Sequence, residues 1–375
     1  MGDLPKGRES VDTDKIFYPA LNDDLLRDEL YCQIMRQLTE NQIQISEERG
    51  WDLLWLSTGV MLPSQQIQKE LFEFLKTRKH PIAAECLRRI QKTMKLGHRK
   101  YPPYIVEVEA IRVRTIEIYH KVYFPDDTDE AFQIESSTKT KDLVQTITKR
   151  LELKSSEGFS LFIKIGDKVF SIPEEYFIFD FIYELMEWIR DTLPTRSNDN
   201  RIQCEYQLFF MKKLWVNVVP GKDPCADEMF YFYQEVPKFL QGYYKVTKQE
   251  AVDLAGYIFW SVYEEADKQL LQKSFPEMML SLVPEDAIRM QKADQWKRDI
   301  IARVNALNGI SQSLAKLEFL RIVHRFPMFG STFFVTKQAT DQNLPETLLI
   351  AINKHGFNLI DPRTKVRFLW WAKAL

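Results

Sequence analysis

Cysteine is scarce in this chain of 375 residues: Cys32, Cys86, Cys204 and Cys225 are the four present, with no CxxC and no Cys/His ligand spacing. That pattern excludes a disulfide framework and a zinc module, and all four read as reduced structural thiols. Glycine (13) and proline (17) are too few for a fibrous or low-complexity chain. No apolar run approaches the roughly 18 residues a membrane span needs. The polar start MGDLPKGRESVDTDK has neither the apolar core of a secretory signal nor the character of a transit peptide. A soluble, cytosolic protein is expected. An excess of one charge is missing too: 51 basic residues face 53 acidic ones, a net of -2, so no global field marks a nucleic-acid or membrane-surface binder.

Catalytic signatures are equally thin. The five histidines show no HExxH spacing, and neither a GxSxG elbow nor a kinase loop set occurs. A nucleotide-binding P-loop needs GxxxxGK[ST], whereas Gly221-Lys222 is followed by Asp223 and lacks the earlier glycine. No catalytic residue, metal ligand or cofactor is therefore expected.

Aromatic residues are plentiful, with 8 Trp, 15 Tyr and 25 Phe, and 45% of the chain is hydrophobic, enough for two or three packed domains. Leu26, Leu30, Ile34 and Leu38 recur every fourth residue with Tyr31 and Met35 beside them, which predicts a helix. A second helix is predicted from Ser64 as N-cap, with Ile67, Leu71, Phe74 and Leu75 on its apolar face and Pro81 as its stop. A third runs from about Ala83, burying Ala83, Leu87, Ile90 and Met94, and ends at Gly97. After the Tyr101-Pro102-Pro103 break the period changes near residue 112. Ile116, Ile118, Val122 and Phe124 alternate, Asp126-Asp127 turns, and Phe132 and Ile134 follow in a second strand. A helix from about Lys141 presents Leu143, Val144, Ile147 and Leu151. Phe159, Leu161, Ile163 and Ile165 then lead to a Gly166-Asp167 hairpin turn and Val169 to Ile172. Strand, strand, helix, strand, strand is the order of a ubiquitin-like grasp. Beyond a polar linker at Thr195 to Arg201 the pattern is helical again. Thr247 and Glu250 form a capping box, and a last helix from about Ser311 carries Leu314, Leu317, Leu320 and Val323. Strands return at Phe333 to Lys337, Leu348 to Asn353 and Phe357 to Ile360.

Several segments carry a family resemblance. LRDELYCQIMRQLTEN (26–41) and SEERGWDLLWLSTG (46–59) resemble the core of MyTH4 domains, and KYPPYIVEVEAI (100–111) looks like a MyTH4-to-FERM junction. HKVYFPDDTDEAFQIESSTK (120–139), SSEGFSLFIKI (155–165), FFMKKLW (209–215), VPGKDPCAD (219–227) and FGSTFFVTKQ (329–338) are similar to the C-terminal tandem of class VII unconventional myosins. Of the two vertebrate forms, the sequence looks nearer to VIIb than to VIIa. The resemblance implies an α+β multidomain fold: a partial helical MyTH4 bundle over residues 1–108, an F1 ubiquitin-like β-grasp over 109–195, an F2 acyl-CoA-binding-protein-like helical bundle over 202–326, and a truncated F3 PH-like lobe over 327–375. Complete MyTH4 domains begin with further helices, so the N-terminal part of this one is expected to be missing. After LIDPRTK (359–365) the chain departs from the family with VRFLWWAKAL. About three strands of the third lobe are then expected, with an open edge, an uncovered apolar face and few family contacts for Phe368, Trp370 and Trp371.

The balanced net charge hides an asymmetry. Residues 1–68 carry 6 basic and 12 acidic side chains, and residues 69–104 carry 10 basic and 3 acidic ones. Arg88, Lys92, Lys95 and Arg99 fall at i, i+4, i+7 and i+11, which predicts four cations on one helix face, enlarged by Lys76, Arg78, Lys79, Arg89 and Lys100. Such a face is either a solvated surface or a site for an acidic partner, and the resemblance implies the latter. Lys121, Lys139 and Lys141 around the F1 helix, and Lys212 and Lys213, are secondary candidates for contact with a peptide or a lipid headgroup. Trp215 reads as core. The implied function is a non-catalytic, cargo-binding tail of an actin-based myosin. It would dock scaffold proteins of the harmonin-type PDZ and ankyrin-repeat/SAM kinds in actin-rich protrusions such as microvilli or stereocilia. Actin itself would be met only through a motor domain outside this chain, no nucleic acid is expected, and membrane contact would be at most peripheral. The alternative is a FERM membrane-cytoskeleton linker that binds phosphoinositide and receptor tails.

Overall fold

A computed structural model describes residues 9–192, 205–263, 268–337, 342–365 and 367–371. The Thr195 to Arg201 linker and Cys204 lie outside the described residues. Two compact units are formed, one from residues 1–122, 129–146 and 161–208 and the other from residues 123–128, 147–160 and 209–375.

Six helices open the chain: α1 (Glu9–Asn22), α2 (Asp24–Gln37), α3 (Gln44–Val60), α4 (Gln65–Thr77), α5 (Pro81–Leu96) and α6 (Ile105–Arg112). Asp23 starts α2 by accepting the Leu25 and Leu26 N–H groups, an ordinary N-cap. The buried side of α2 differs from the expected stripe. Leu26 is exposed, whereas Arg27, Tyr31, Ile34 and Leu38 are buried. Arg27 goes inward because its guanidinium satisfies the α1 terminal carbonyls of Ala20 (2.9 Å) and Leu21 (3.1 Å), a better use of the position than a leucine offers. α5 likewise turns a different face inward. Ile82, Ala83, Cys86, Arg89, Ile90 and Thr93 are buried, and Met94 is exposed. Pro81 starts this helix as its first residue, and the His80 ring caps it by accepting the Ile82 N–H at 3.3 Å while stacking on Trp51. Burial lowers the His80 pKa, which keeps the ring neutral and able to accept. The core of the bundle is aromatic, with Phe17, Tyr31, Trp51 and Trp55 fully enclosed.

A five-stranded sheet follows, of order β2-β1-β5-β3-β4, from β1 (Tyr119–Tyr123), β2 (Asp129–Gln133), β3 (Phe159–Ile165), β4 (Lys168–Ser171) and β5 (Gln207–Lys212). Its helices are α7 (Thr140–Arg150) and α8 (Ile178–Thr192). Ile165 pairs with Lys168 across the two-residue Gly166-Asp167 turn, where Gly166 supplies φ 59°. Leu143, Val144 and Ile147 of α7 are buried. β5 was expected beyond the F1 border, yet it lies between β1 and β3. Its Leu208, Phe210 and Lys212 alternate inward, a period-2 pattern that puts this segment in the sheet.

A run of helices follows in the second unit: α9 (Pro224–Ala226) continues through a π-helical turn (Asp227–Tyr231) into α10 (Phe232–Leu240), followed by α11 (Lys248–Val262), α12 (Lys268–Lys273), α13 (Phe275–Leu282), α14 (Glu285–Ile288), α15 (Ala293–Ala306) and α16 (Gln312–Val323). Both halves of the Thr247/Glu250 capping box are present. On α16, Leu314 is exposed and Ala315, Phe319, Leu320 and Val323 form the buried side. Trp215 is buried between Tyr231 and Phe329.

Asp227 sits in the π-helical turn with only 4% of its surface exposed. One carboxylate oxygen accepts the Gly221 N–H at 2.7 Å, and the other has no partner. Burial pushes its pKa up to about 6 from an ordinary 3.8. Between those values the folded chain binds more protons than the unfolded one, so stability falls as pH rises through the window. The loss reaches at most about 3 kcal/mol above pH 6. Asp227→Asn should flatten this part of the pH–stability curve, measured by urea unfolding at pH 4.5 and 7; an unchanged slope would disprove the assignment.

The last sheet contains β6 (Thr332–Lys337), β7 (Thr347–Asn353), β8 (Gly356–Ile360) and β9 (Arg367–Trp371) in sequential order. The fourth strand corrects the expectation of about three. The aromatic and aliphatic residues of this segment favour an extended chain, and β9 pairs antiparallel to β8 with Leu359 opposite Leu369. Phe368 is 39% exposed, and the side chains of Trp370 and Trp371 lie outside the described residues. Part of one face of this sheet is exposed, whereas Leu348 on the same side is buried. The register places Phe334, Ile352 and Phe357 on the same side, and all three are exposed.

Candidate partner-binding surface

The expected basic face breaks up in the structure, for three separate reasons. Arg99 is not on α5 at all. Gly97, with φ +91°, ends that helix, and Arg99 turns inward, 3% exposed. Its Nε donates to Asp180 Oδ1 at 2.8 Å and its Nη1 to Glu107 Oε2 at 2.6 Å. Burial opposes its charge, but Glu107 and Asp180 outweigh burial and hold its pKa above the ordinary value. Arg99 is therefore a structural ion and not a contact residue. Arg89, expected to enlarge the positive region, is buried as well. Its guanidinium donates to the Trp55 carbonyl (3.0 Å) and the Ser136 hydroxyl (2.6 Å) and lies 3.7 Å from the Trp55 ring centre.

Arg88 and Lys92 do share a face, but the chain itself supplies their acids. Arg88 pairs with Glu85 at 2.5 Å and Glu135 at 3.0 Å, and Lys92 pairs with Glu135 at 2.6 Å. Burial disfavours the Glu135 charge, yet Lys92 and Arg88 prevail and keep its carboxyl below the usual range. Among the others, Lys76 pairs with Glu73 one turn away, Arg78 lies over the Phe74 ring and donates to Thr39, and Lys100 lies 3.8 Å from Glu184. Lys79 and Lys95 remain exposed, with no ion pair to a described residue. Exposed pairs of this kind contribute at most about 1 kcal/mol, so a stronger acidic ligand can displace them.

The secondary candidates divide similarly. Lys121 pairs with Asp129 at 3.0 Å, and Lys139 and Lys141 share Glu175 at 3.4 and 2.7 Å. Lys213 is exposed, whereas Lys212 is buried, contrary to the expectation of a surface pair. Alternation along β5 accounts for the difference and is readable in the sequence.

A helical module followed by grasp, helical and sheet lobes defines the MyTH4-FERM class of binding modules. The MyTH4 domain family matches residues 13–110, the RA like domain family residues 117–214, and the FERM central domain family residues 222–334. Myosin-VIIa of Drosophila melanogaster is 53% identical over 368 residues, which make up 97% of this chain and 17% of that protein. Unconventional myosin-VIIb of Mus musculus is 41% identical over 354 residues, 94% of this chain and 17% of that protein. The solved structure of the human myosin 7b C-terminal MyTH4-FERM domain in complex with the harmonin-a PDZ3 domain matches with a TM-score of 0.91 at 40% identity, covering 99% of this chain and 76% of that one. The chain belongs to the MyTH4-FERM family of class VII myosin tails, a non-catalytic type of domain. It spans less than a fifth of the length of these curated relatives.

Proposed function

We propose that this chain is the cargo-binding tail of an actin-based myosin and docks adaptor proteins, with the motor ATPase in a part of the parent protein outside it. The observation that carries this reading is the 40% identity, over 99% of the chain, to a myosin 7b tail solved with a PDZ domain of harmonin. A PDZ scaffold of that type is the first partner to test, and ankyrin-repeat/SAM scaffolds are the second. The place of action would be the cytoskeleton of actin-rich protrusions, microvilli or stereocilia. In this reading the MyTH4 part extends through α6, and the F1 lobe includes β5. Of the basic residues, Lys79 and Lys95 would meet acidic partner segments directly, and Arg88 and Lys92 would do so only in exchange for Glu135.

Titration of the chain with a harmonin-type PDZ3 domain tests the proposal. Saturable binding is expected, and Lys79→Glu with Lys95→Glu together should weaken it about tenfold at low salt and flatten its salt dependence. These two positions are better probes than Arg88 and Lys92, whose reversal would also break an internal ion pair. Absence of binding would refute the adaptor reading, whereas sedimentation with phosphoinositide liposomes would favour a membrane linker.

A further inference from the structure

A cleft of 280 Å³ opens in the second compact unit, with Lys154, Lys212, Lys222, Val216, Val219 and Tyr231 among its lining residues. Lys212 is the unusual member. Only 6% of it is exposed, and its ammonium donates to the Glu157 carbonyl at 2.5 Å and lies 4.5 Å from the Phe159 ring centre. It ion-pairs with no carboxylate among the described residues. Burial lowers its pKa, and the charges of Glu157 and Asp223 oppose that shift without cancelling it. A buried charge in that position is costly, and an anion entering the cleft would recover part of that cost. Lys154 and Lys222 stand exposed, and their ammonium groups also lack a described partner. The loops that carry them are tied together by the Lys154 N–H, which donates to Asp223 at 2.8 Å.

The charge count selects the ligand. Glu157 and Asp223 also line the cleft, so three ammonium groups face two carboxylates and one positive charge is left over. That matches a carboxylate better than a phosphate, which carries nearly two negative charges. Val216 and Val219 are each more than 40% exposed, an apolar wall beside the cations. We propose that this cleft binds the carboxylate side chain of an acidic peptide segment of a partner, with an adjacent apolar residue packed on Val216 and Val219. The inference deepens the adaptor reading and rests on it only for the source of the peptide. It does not involve the basic residues near α5.

The test uses the whole chain and two blocked peptides, acetyl-Ala-Val-Glu-Val-Ala-amide and its Gln counterpart, with amide chemical shifts as the readout. The Glu peptide should shift the Lys212 and Asn217 amides saturably, and the Gln peptide should bind at least about tenfold more weakly. Lys212→Met keeps the apolar stem and should lose the difference between the peptides while retaining its melting temperature. Lys222→Ala, at an exposed site, should weaken the Glu peptide severalfold, and it decides the matter if Lys212→Met does not fold. Equal binding of the two peptides, or binding that neither variant changes, overturns the proposal. Tighter Lys212-dependent binding of inorganic phosphate or of phosphatidylinositol-bisphosphate vesicles overturns it as well. Loss of PDZ binding in the Lys79/Lys95 variant with the cleft shifts intact would confine the effect to the other surface.

Discussion

Replacing Arg99 with alanine should lower the unfolding free energy by about 3–5 kcal/mol. The side chain is enclosed, and so are both acids it holds: the exposures are 1% for Arg99, 0% for Glu107 and 6% for Asp180. Removing the guanidinium strands two carboxylates away from water, and that penalty is larger than the net worth of the pairs themselves. The effect spreads because the same acids hold the backbone. Asp180 accepts the Lys100 N–H at 2.8 Å, and Glu107 accepts the Tyr104 N–H at 2.7 Å as part of the α6 capping box. Arg99→Lys should recover only part of the loss, since a single ammonium cannot reproduce a planar fork reaching two acids. Denaturant unfolding of the whole chain measures both variants. A loss below about 1 kcal/mol for Arg99→Ala would show that the acids find other partners.

Gly59→Ala is expected to be nearly as severe, about 3 kcal/mol, although it adds one methyl group to a helix. A Cβ at position 59 would collide with Arg89 Nη2 and stand 2.5 Å from its Cζ. An exposed arginine would swing aside, but this one is fixed by the Trp55 carbonyl, the Ser136 hydroxyl and the Trp55 ring. Displacing it breaks charge-assisted hydrogen bonds inside the core. Helix propensity alone predicts the opposite sign, because alanine outranks glycine by about 1 kcal/mol in a helix interior. The sign of the measured change in melting temperature therefore separates the two. A gain would mean that the guanidinium has another seat.

These two sites also show where reading the sequence stops. The Thr247/Glu250 box and the Gly166-Asp167 hairpin were legible because each is a local device whose residues contact one another across a few positions. The inward faces of α2 and α5 were not. Periodicity assigns burial to apolar residues, and here Arg27 and Arg89 take core positions because carbonyls and a ring elsewhere in the chain need a donor. Extending the α5 period past Gly97 puts Arg99 on a helix face, although Gly97 ends the helix. The acid that neutralises Arg88 and Lys92 lies more than forty residues away, at Glu135, a separation no spacing rule covers. The alternation of β5 is local, but its place between β1 and β3 is not, since both partners precede it by dozens of residues.

The exposed part of the four-stranded sheet gives this chain something of the character of a surfactant. Phe334, Ile352 and Phe357 form an apolar strip on this sheet. Such a molecule gains free energy wherever water meets air, plastic or hydrophobic resin. Films, vitrified specimens and reversed-phase supports would therefore collect this chain.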